Sequence, residues 1–362
     1  MFQKAKWFIE VGALCLCVAL CSCSQKTTNK TSKAEETQKV TTGEIPEEYS
    51  DNLFAMDTYM SLTAYGTGAK EAVEESKKEI ERLDNLWSIS SEDGEIYTIN
   101  QNGKSDISKD TAEILQCATT LYKSTGGAFD ITVYPLMKLW GFTTGNYKVP
   151  EENNIKETLA LVNQEQINLN TKAGSVTLGE GQKIDLGGIA KGFTSNRVMK
   201  MWKNAGITSG MVTLGGNVQV LGSKPDGSPW KVGIRNPEST ESDMIGILQV
   251  TDCAVITSGG YERYFEEAGK EYHHILDTST GYPAENGLIS VTIVSQDGTL
   301  ADGLSTALFV KGKEDAITYW KQHKEEFDTV LMEDNGAIYV TEGLEDKFSS
   351  EESFQIIRGD AE

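Results

Sequence analysis

Asp302 and Thr306 stand four residues apart in the run Ala301-Asp302-Gly303-Leu304-Ser305-Thr306-Ala307, so on a helix they share one face. A carboxylate beside a hydroxyl offers hard oxygens suited to Mg²⁺, which takes few protein ligands and fills its octahedron with water and substrate phosphate. Taken alone, the run fits an N-capping Asp beside an unrelated Thr better. A second run, Ile184-Asp185-Leu186-Gly187-Gly188-Ile189-Ala190-Lys191-Gly192, sets an acid and paired glycines before a helical pattern bearing Phe193, Val198, Met201 and Trp202. Glycines there let the backbone approach an anion at the positive end of a helix. The spacing is neither that of a Walker loop nor that of a Rossmann fingerprint, and a plain strand-to-helix turn would look the same. The third run, His273-His274-Ile275-Leu276-Asp277-Thr278-Ser279-Thr280-Gly281, holds two of the three histidines in the chain. A neutral imidazole acts as general base or orients a hydroxyl near neutral pH, although two histidines on opposite faces of a strand would account for at least one of them.

The elements that must position these residues are legible in outline. Ala69, Val73, Ile80, Leu83 and Leu86 recur at helical spacing, which predicts an amphipathic helix over 68–87. A second helix is predicted over 110–124, stopped by Gly126-Gly127. From Ile167 on, short alternating runs at 175–178, 210–214, 218–221, 230–234, 245–250, 254–257 and 290–294 read as strands between Gly, Asn and Asp turns. Helices at 301–310 and 313–323 and a hairpin around Glu333-Asp334-Asn335-Gly336 follow. No Pro-rich linker divides residues 49–345, so the expectation is one α+β unit of two interlocked lobes.

Lys4 and Lys6 precede an apolar run from Val11 to Leu20 that is too short to span a bilayer stably, which marks a signal peptide over 1–22. Leu20-Cys21-Ser22-Cys23 resembles the bacterial lipobox, with Cys23 as the acylated, palmitate-bearing residue, which predicts a protein on the outer face of the cell membrane; an ordinary secretory signal or an uncleaved anchor is the alternative. Residues 23–47, rich in Lys, Thr, Ser and Glu, read as a flexible tether, 48–345 as the catalytic domain and 346–362 as a C-terminal tail. Outside the leader only Cys117 and Cys253 remain; their spacing suits no zinc site and both read as small hydrophobes, with a disulfide between them left open. With 33 basic and 54 acidic residues the formal charge is −21, which disfavours nucleic-acid binding. The same charge repels a free dinucleotide, so a phosphate site here needs a metal ion or aimed backbone N–H groups.

In this order the three runs, together with Met56-Asp57-Thr58, Gly127-Ala128-Phe129-Asp130, Leu214-Gly215-Gly216-Asn217 and Thr257-Ser258-Gly259, resemble the ApbE family of FAD:protein FMN transferases over residues 53–342. The resemblance implies a single two-lobed domain with mixed sheets flanked by helices. It implies that Asp302, Thr306 and the Gly188 carbonyl hold Mg²⁺. It further implies that Met56, Ala128, Phe129, Asp130, Asp185, Lys191 and Leu276 contact FAD, that Thr257 and Ser258 line the same pocket, and that His274 has a catalytic or orienting role while His273 is incidental. The implied reaction attaches FMN to a Thr or Ser of an acceptor protein, such as a membrane redox subunit, and releases AMP. The chain departs from the family at Ser90, where some members carry an aromatic residue, and at Thr278, where Pro is usual. FAD hydrolysis to FMN and AMP, or storage of FAD without catalysis, would use the same pocket. Arg358-Gly359-Asp360 is too short and terminal to support an adhesin.

Overall fold

The computed structural model describes residues 46–239 and 243–359. The leader, Cys23 and the tether up to residue 45 lie outside the described residues. The chain enters through β1 (Glu48–Ala55) and β2 (Thr58–Tyr65), then α1 (Ala69–Trp87), α2 (Glu95–Asn102), β3 (Lys104–Asp106) and α3 (Lys109–Thr125). It continues with α4 (Tyr134–Trp140), α5 (Glu152–Leu159), β4 (Asn168–Asn170), β5 (Ser175–Thr177) and α6 (Ala190–Asn204). Then come β6 (Ser209–Leu214), β7 (Asn217–Leu221), β8 (Trp230–Arg235), β9 (Met244–Val250), β10 (Ala254–Gly259), β11 (Tyr264–Glu267), β12 (Lys270–His273) and β13 (Leu288–Ser295). The last elements are α7 (Gly298–Lys311), α8 (Lys313–His323), β14 (Asp328–Glu333), β15 (Ile338–Thr341), β16 (Phe348–Ser349) and β17 (Phe354–Ile357).

A mixed nine-stranded sheet runs in the order β1-β2-β6-β7-β10-β13-β14-β15-β17, antiparallel except where β17 joins β15 in parallel. Period-2 alternation sends side chains to two cores. On β10, Ala254 and Ile256 join the core under α3 and α7, whereas Val255 faces the opposite core with Trp230, Val232 and Leu248 of the small sheet β16-β9-β8. The α1 and α6 side chains Val73, Ile80, Val198 and Trp202 close over β1, β2 and β6 in a third cluster. This is α+β, with helices on one face and a second sheet on the other, and the described residues form one compact unit.

Local chemistry sets the element ends. The Ser108 hydroxyl accepts from the Thr111 N–H at 3.3 Å to start α3, and Gly126, at φ +66°, closes it. Asp297 caps α7 by accepting from the Thr299 and Leu300 amides at 2.8 and 3.2 Å, so the capping role that the sequence offered as an alternative for Asp302 is taken five residues earlier. Beyond residue 345, where the sequence reading ended the domain, β16 pairs with β9 and β17 with β15, so part of the supposed tail belongs to the sheets. Cys117 and Cys253 are both free thiols, the first half-buried and the second buried.

Candidate active site

The first turn of α6 meets α7 closely because both helices carry glycine there. A Cβ on Gly192 would lie 2.1 Å from the Gly298 carbonyl oxygen and 2.5 Å from Asp302 Cβ. That approach lets the Gly192 N–H donate to Asp302 Oδ2 at 2.8 Å, while Asn217 Nδ2, at the start of β7, donates to Oδ1 at 2.9 Å. Asp302 is thereby oriented, and it is only 4% exposed. One helical turn on, Thr306 Oγ1 lies 3.2 Å from Ser258 Oγ on β10, and Ser258 also bonds Ser305 at 2.8 Å. Gly188, in the loop before α6, sits so close that an added Cβ would be 3.7 Å from Thr306 Oγ1 and 3.2 Å from the Phe129 ring. A carboxylate, hydroxyls and a glycine backbone thus gather at one place. All are hard oxygens, so the donor set fits Mg²⁺. Among the described residues no group of three or more His, Cys, Asp or Glu side chains is placed to hold a metal.

His274 follows β12 and is tied to the segment before β11. The Arg263 carbonyl oxygen receives the His274 backbone N–H at 3.0 Å and lies 3.1 Å from Nδ1. A carbonyl only accepts, so Nδ1 carries the proton and Nε2 presents its lone pair. Burial, helped by the Arg263 and Lys191 charges, holds the imidazole down to about 3, so it is neutral at physiological pH. The same two cations act on Asp185, whose carboxyl burial pushes above its ordinary range even though Oδ1 accepts the Gly187 N–H at 2.6 Å. His273 is spent differently: Nε2 lies 3.1 Å from the Ala284 carbonyl oxygen, Nδ1 accepts the Ile275 N–H at 3.3 Å, and the ring stands edge-on to Phe309.

The sequence profile of the ApbE family matches residues 56–331, most of the chain and all of the residues just described. The chain belongs to the ApbE family. The FAD:protein FMN transferase of Klebsiella pneumoniae is 32% identical over 283 residues, covering 77% of this chain and 87% of that protein. The one from Treponema pallidum is 34% identical over 260 residues, covering 67% and 72%. Among solved structures, the ApbE protein of Thermotoga maritima superposes with a TM-score of 0.77 at 33% identity, over 82% of this chain and 98% of that one. The flavin transferase ApbE from Vibrio cholerae gives 0.73 at 27% identity, over 83% and 99%.

In this ApbE-family chain the other site candidates take distinct places. Met56 sits in the two-residue turn between β1 and β2 at φ +49°, a left-handed conformation costly for a bulky residue; its sulfur lies 3.9 Å from Thr194 Oγ1 on α6. Phe129 is buried beside Gly188, and Ala128 packs on the same core. Lys191 lies in the first turn of α6. Asp130 is buried, and its hydrogen bonds run to the Thr132 amide and hydroxyl and the Gln164 amide, so its carboxylate holds the loop together. Thr257 bonds Thr292 across the sheet at 2.8 Å. The Leu276 side chain is buried among Leu136, Trp140, Phe142 and Ile155. The sequence reading assigned no role to Gly192, Asn217 or Arg263. Asn217 falls in the matching Leu214-Gly215-Gly216-Asn217 segment, which was a usable signal, whereas the part played by Arg263 is a main-chain carbonyl and carries no residue-type signal.

Proposed function

We propose that the chain is a Mg²⁺-dependent FAD:protein FMN transferase that joins FMN to a Thr or Ser of an acceptor protein and releases AMP. The observation that carries this reading is the convergence of Asp302, Thr306 and Gly188, two helices and a loop meeting at glycines; His274, whose ring feels the charge of Lys191 in the first turn of α6, is the candidate base in the same reading. The acceptor hydroxyl attacks the phosphorus nearer riboflavin, the bond from that phosphorus to the AMP phosphate breaks, and the hydroxyl proton passes toward His274 Nε2. Asp302, Thr306 and the Gly188 carbonyl would hold Mg²⁺, which when bound would supply positive charge to the diphosphate and to leaving AMP.

Met56, Ala128, Phe129, Asp185, Lys191 and Leu276 are the FAD contacts in this reading, with Thr257 and Ser258 lining the pocket beside them. Lys191 contributes a fixed cation to a chain whose net charge otherwise repels FAD. An imidazole as weakly basic as that of His274, held down first by burial and then by the Arg263 charge, orients the hydroxyl first and takes its proton only as charge develops; an arriving diphosphate offsets the nearby cations and raises its basicity. We further propose that Cys23 is acylated and that residues 23–47 tether the enzyme to the outer face of the membrane, where acceptor subunits present loops. Asp130 enters the reading as the residue that shapes the FAD loop.

The test is to incubate residues 46–362 with FAD, Mg²⁺ and a Thr-bearing acceptor, then to follow in-gel flavin fluorescence and AMP. Transfer predicts both, with AMP release dependent on the acceptor. AMP at one rate with or without acceptor would instead make the protein an FAD diphosphatase. For the anchor, Cys23→Ala should move the full chain from the membrane to the soluble fraction, and persistence in the membrane would overturn it.

A further inference from the structure

Thr278 lies in the turn that follows the histidine segment, and its hydroxyl donates to the Gly127 carbonyl oxygen at 2.7 Å, across 151 residues of sequence. The two sides of that bond are built differently. Around Thr278 the turn is tied to itself: Asp277 Oδ1 accepts from the Ser279 amide and hydroxyl at 2.8 and 2.7 Å, and the Asp277 carbonyl accepts from the Thr280 and Gly281 amides. Trp140 Nε1, fully buried, anchors the far end by donating to the Gly281 carbonyl at 2.9 Å. On the other side Gly126 and Gly127 close α3 at φ +66° and +88°; the Gly127 N–H is held by the Tyr122 carbonyl at 2.9 Å and the Phe129 N–H by Thr125 Oγ1 at 3.2 Å, while the peptide between Gly127 and Ala128 takes its orientation from the partner of the Gly127 carbonyl, the Thr278 hydroxyl. Ala128 and Phe129 come next.

We propose that Thr278 is a positioning residue for FAD binding: its hydroxyl sets the Gly127 peptide and so pre-organises the Ala128-Phe129 loop. The inference rests on the reading of that loop as an FAD contact. Pre-organisation acts on ground-state binding, because a loop already in its bound form loses less entropy when ligand arrives. His274 is held separately, by the Arg263 carbonyl, so the loss of Thr278 should leave the chemical step nearly intact.

The experiment compares the parent with Thr278→Val, which keeps the shape without the hydroxyl, and Thr278→Ser, which restores it. FAD affinity is read by flavin fluorescence, kcat at saturating FAD by AMP release, and amide hydrogen exchange of residues 126–130 without FAD. We expect Thr278→Val to raise Kd and KM for FAD about five-fold, as befits one lost hydrogen bond, with kcat within two-fold and faster exchange at 126–130. Thr278→Ser should return all of these to parental values. Faster exchange with unchanged FAD affinity would reduce Thr278 to a structural role, and a Ser variant as weak as Val would show that the hydroxyl is not what matters. A parent that binds no FAD would remove the underlying reading, whereas a parent that binds it as tightly as Thr278→Val would remove only this inference.

Discussion

Both oxygens of Asp302 are already hydrogen-bonded, one by a backbone amide and one by Asn217, before any ligand arrives. A carboxylate retains further lone pairs, so this fixes its direction without saturating it. It also means that Asp302 carries part of the fold. Asp302→Ala should lose AMP release and also cost about 1–3 kcal/mol in urea unfolding, because two buried donors lose their acceptor. An Asp302→Ala variant with parental turnover in Mg²⁺ would overturn its assignment as a ligand. The two histidines divide along similar lines. His274→Ala should bind FAD within a few-fold of the parent and lose most flavinylation, the pattern of a group that acts in the transition state. His273→Ala should keep its kcat but unfold at lower urea, since the Ala284 carbonyl, the Ile275 N–H and the Phe309 ring each lose a partner.

Acidity gives the same residue a second signature. The His274 pKa in the folded chain, about 3, lies below its ordinary 6.5, so between those values the unfolded chain binds a proton that the folded one refuses. Its contribution to stability is complete above about pH 6.5 and falls as the pH drops toward 3. Burial lowers His273 in the same direction. Urea midpoints measured from pH 7 to pH 5 should therefore fall more steeply in the parent than in His274→Ala, with Asp130 and Asp185 common to both. Parallel curves would mean that His274 is not protected from protonation.

At the scale of elements, what the sequence made legible and what it hid divide by cause. Helices α1 and α3 and most central strands could be read because amphipathic or alternating periodicity and Gly stops are local signals, whereas α7, buried on nearly every side, shows no such stripe and was placed by its apolar run. The β1–β2 hairpin carries no such signal, since its turn is Met56-Asp57 with both residues at positive φ, where Asn-Gly would ordinarily announce it. The short closing strands stayed hidden because four residues of Phe-Gln-Ile-Ile carry too little pattern to separate a strand from a tail. The candidate site was named from its motifs; the bonds that orient Asp302 and His274, from the Gly192 amide and to the Arg263 carbonyl, belong to the backbone. The closing strands also have a measurable weight. Phe348 is buried under Gly246 and stands edge-on to Phe354 at 5.1 Å. Ending the chain at residue 345 should cost ~3 kcal/mol or more and leave the β15 edge open to association. A lower Tm and larger species in light scattering are expected, and a truncated chain that melts and scatters like the parent would show that β16 and β17 add nothing.

Across the whole molecule, β2 and β6 lie side by side, with Tyr65 paired to Ser209, yet everything from α1 to α6 is strung between them. Ala128, Phe129, Asp130, Asp185, Gly188 and Lys191 all ride on that excursion, while Asp302, Thr306 and His274 come from beyond it. Closing so long a stretch carries a chain-entropy penalty that must be met before its contacts reward it, and such pairings form slowly. During refolding, far-UV dichroism should recover in an early phase and FAD binding in a later one; simultaneous recovery would show that the excursion docks with the rest. Half-folded chains would then hold secondary structure but no cleft, and a newly made molecule would gain its chemistry in a single late step.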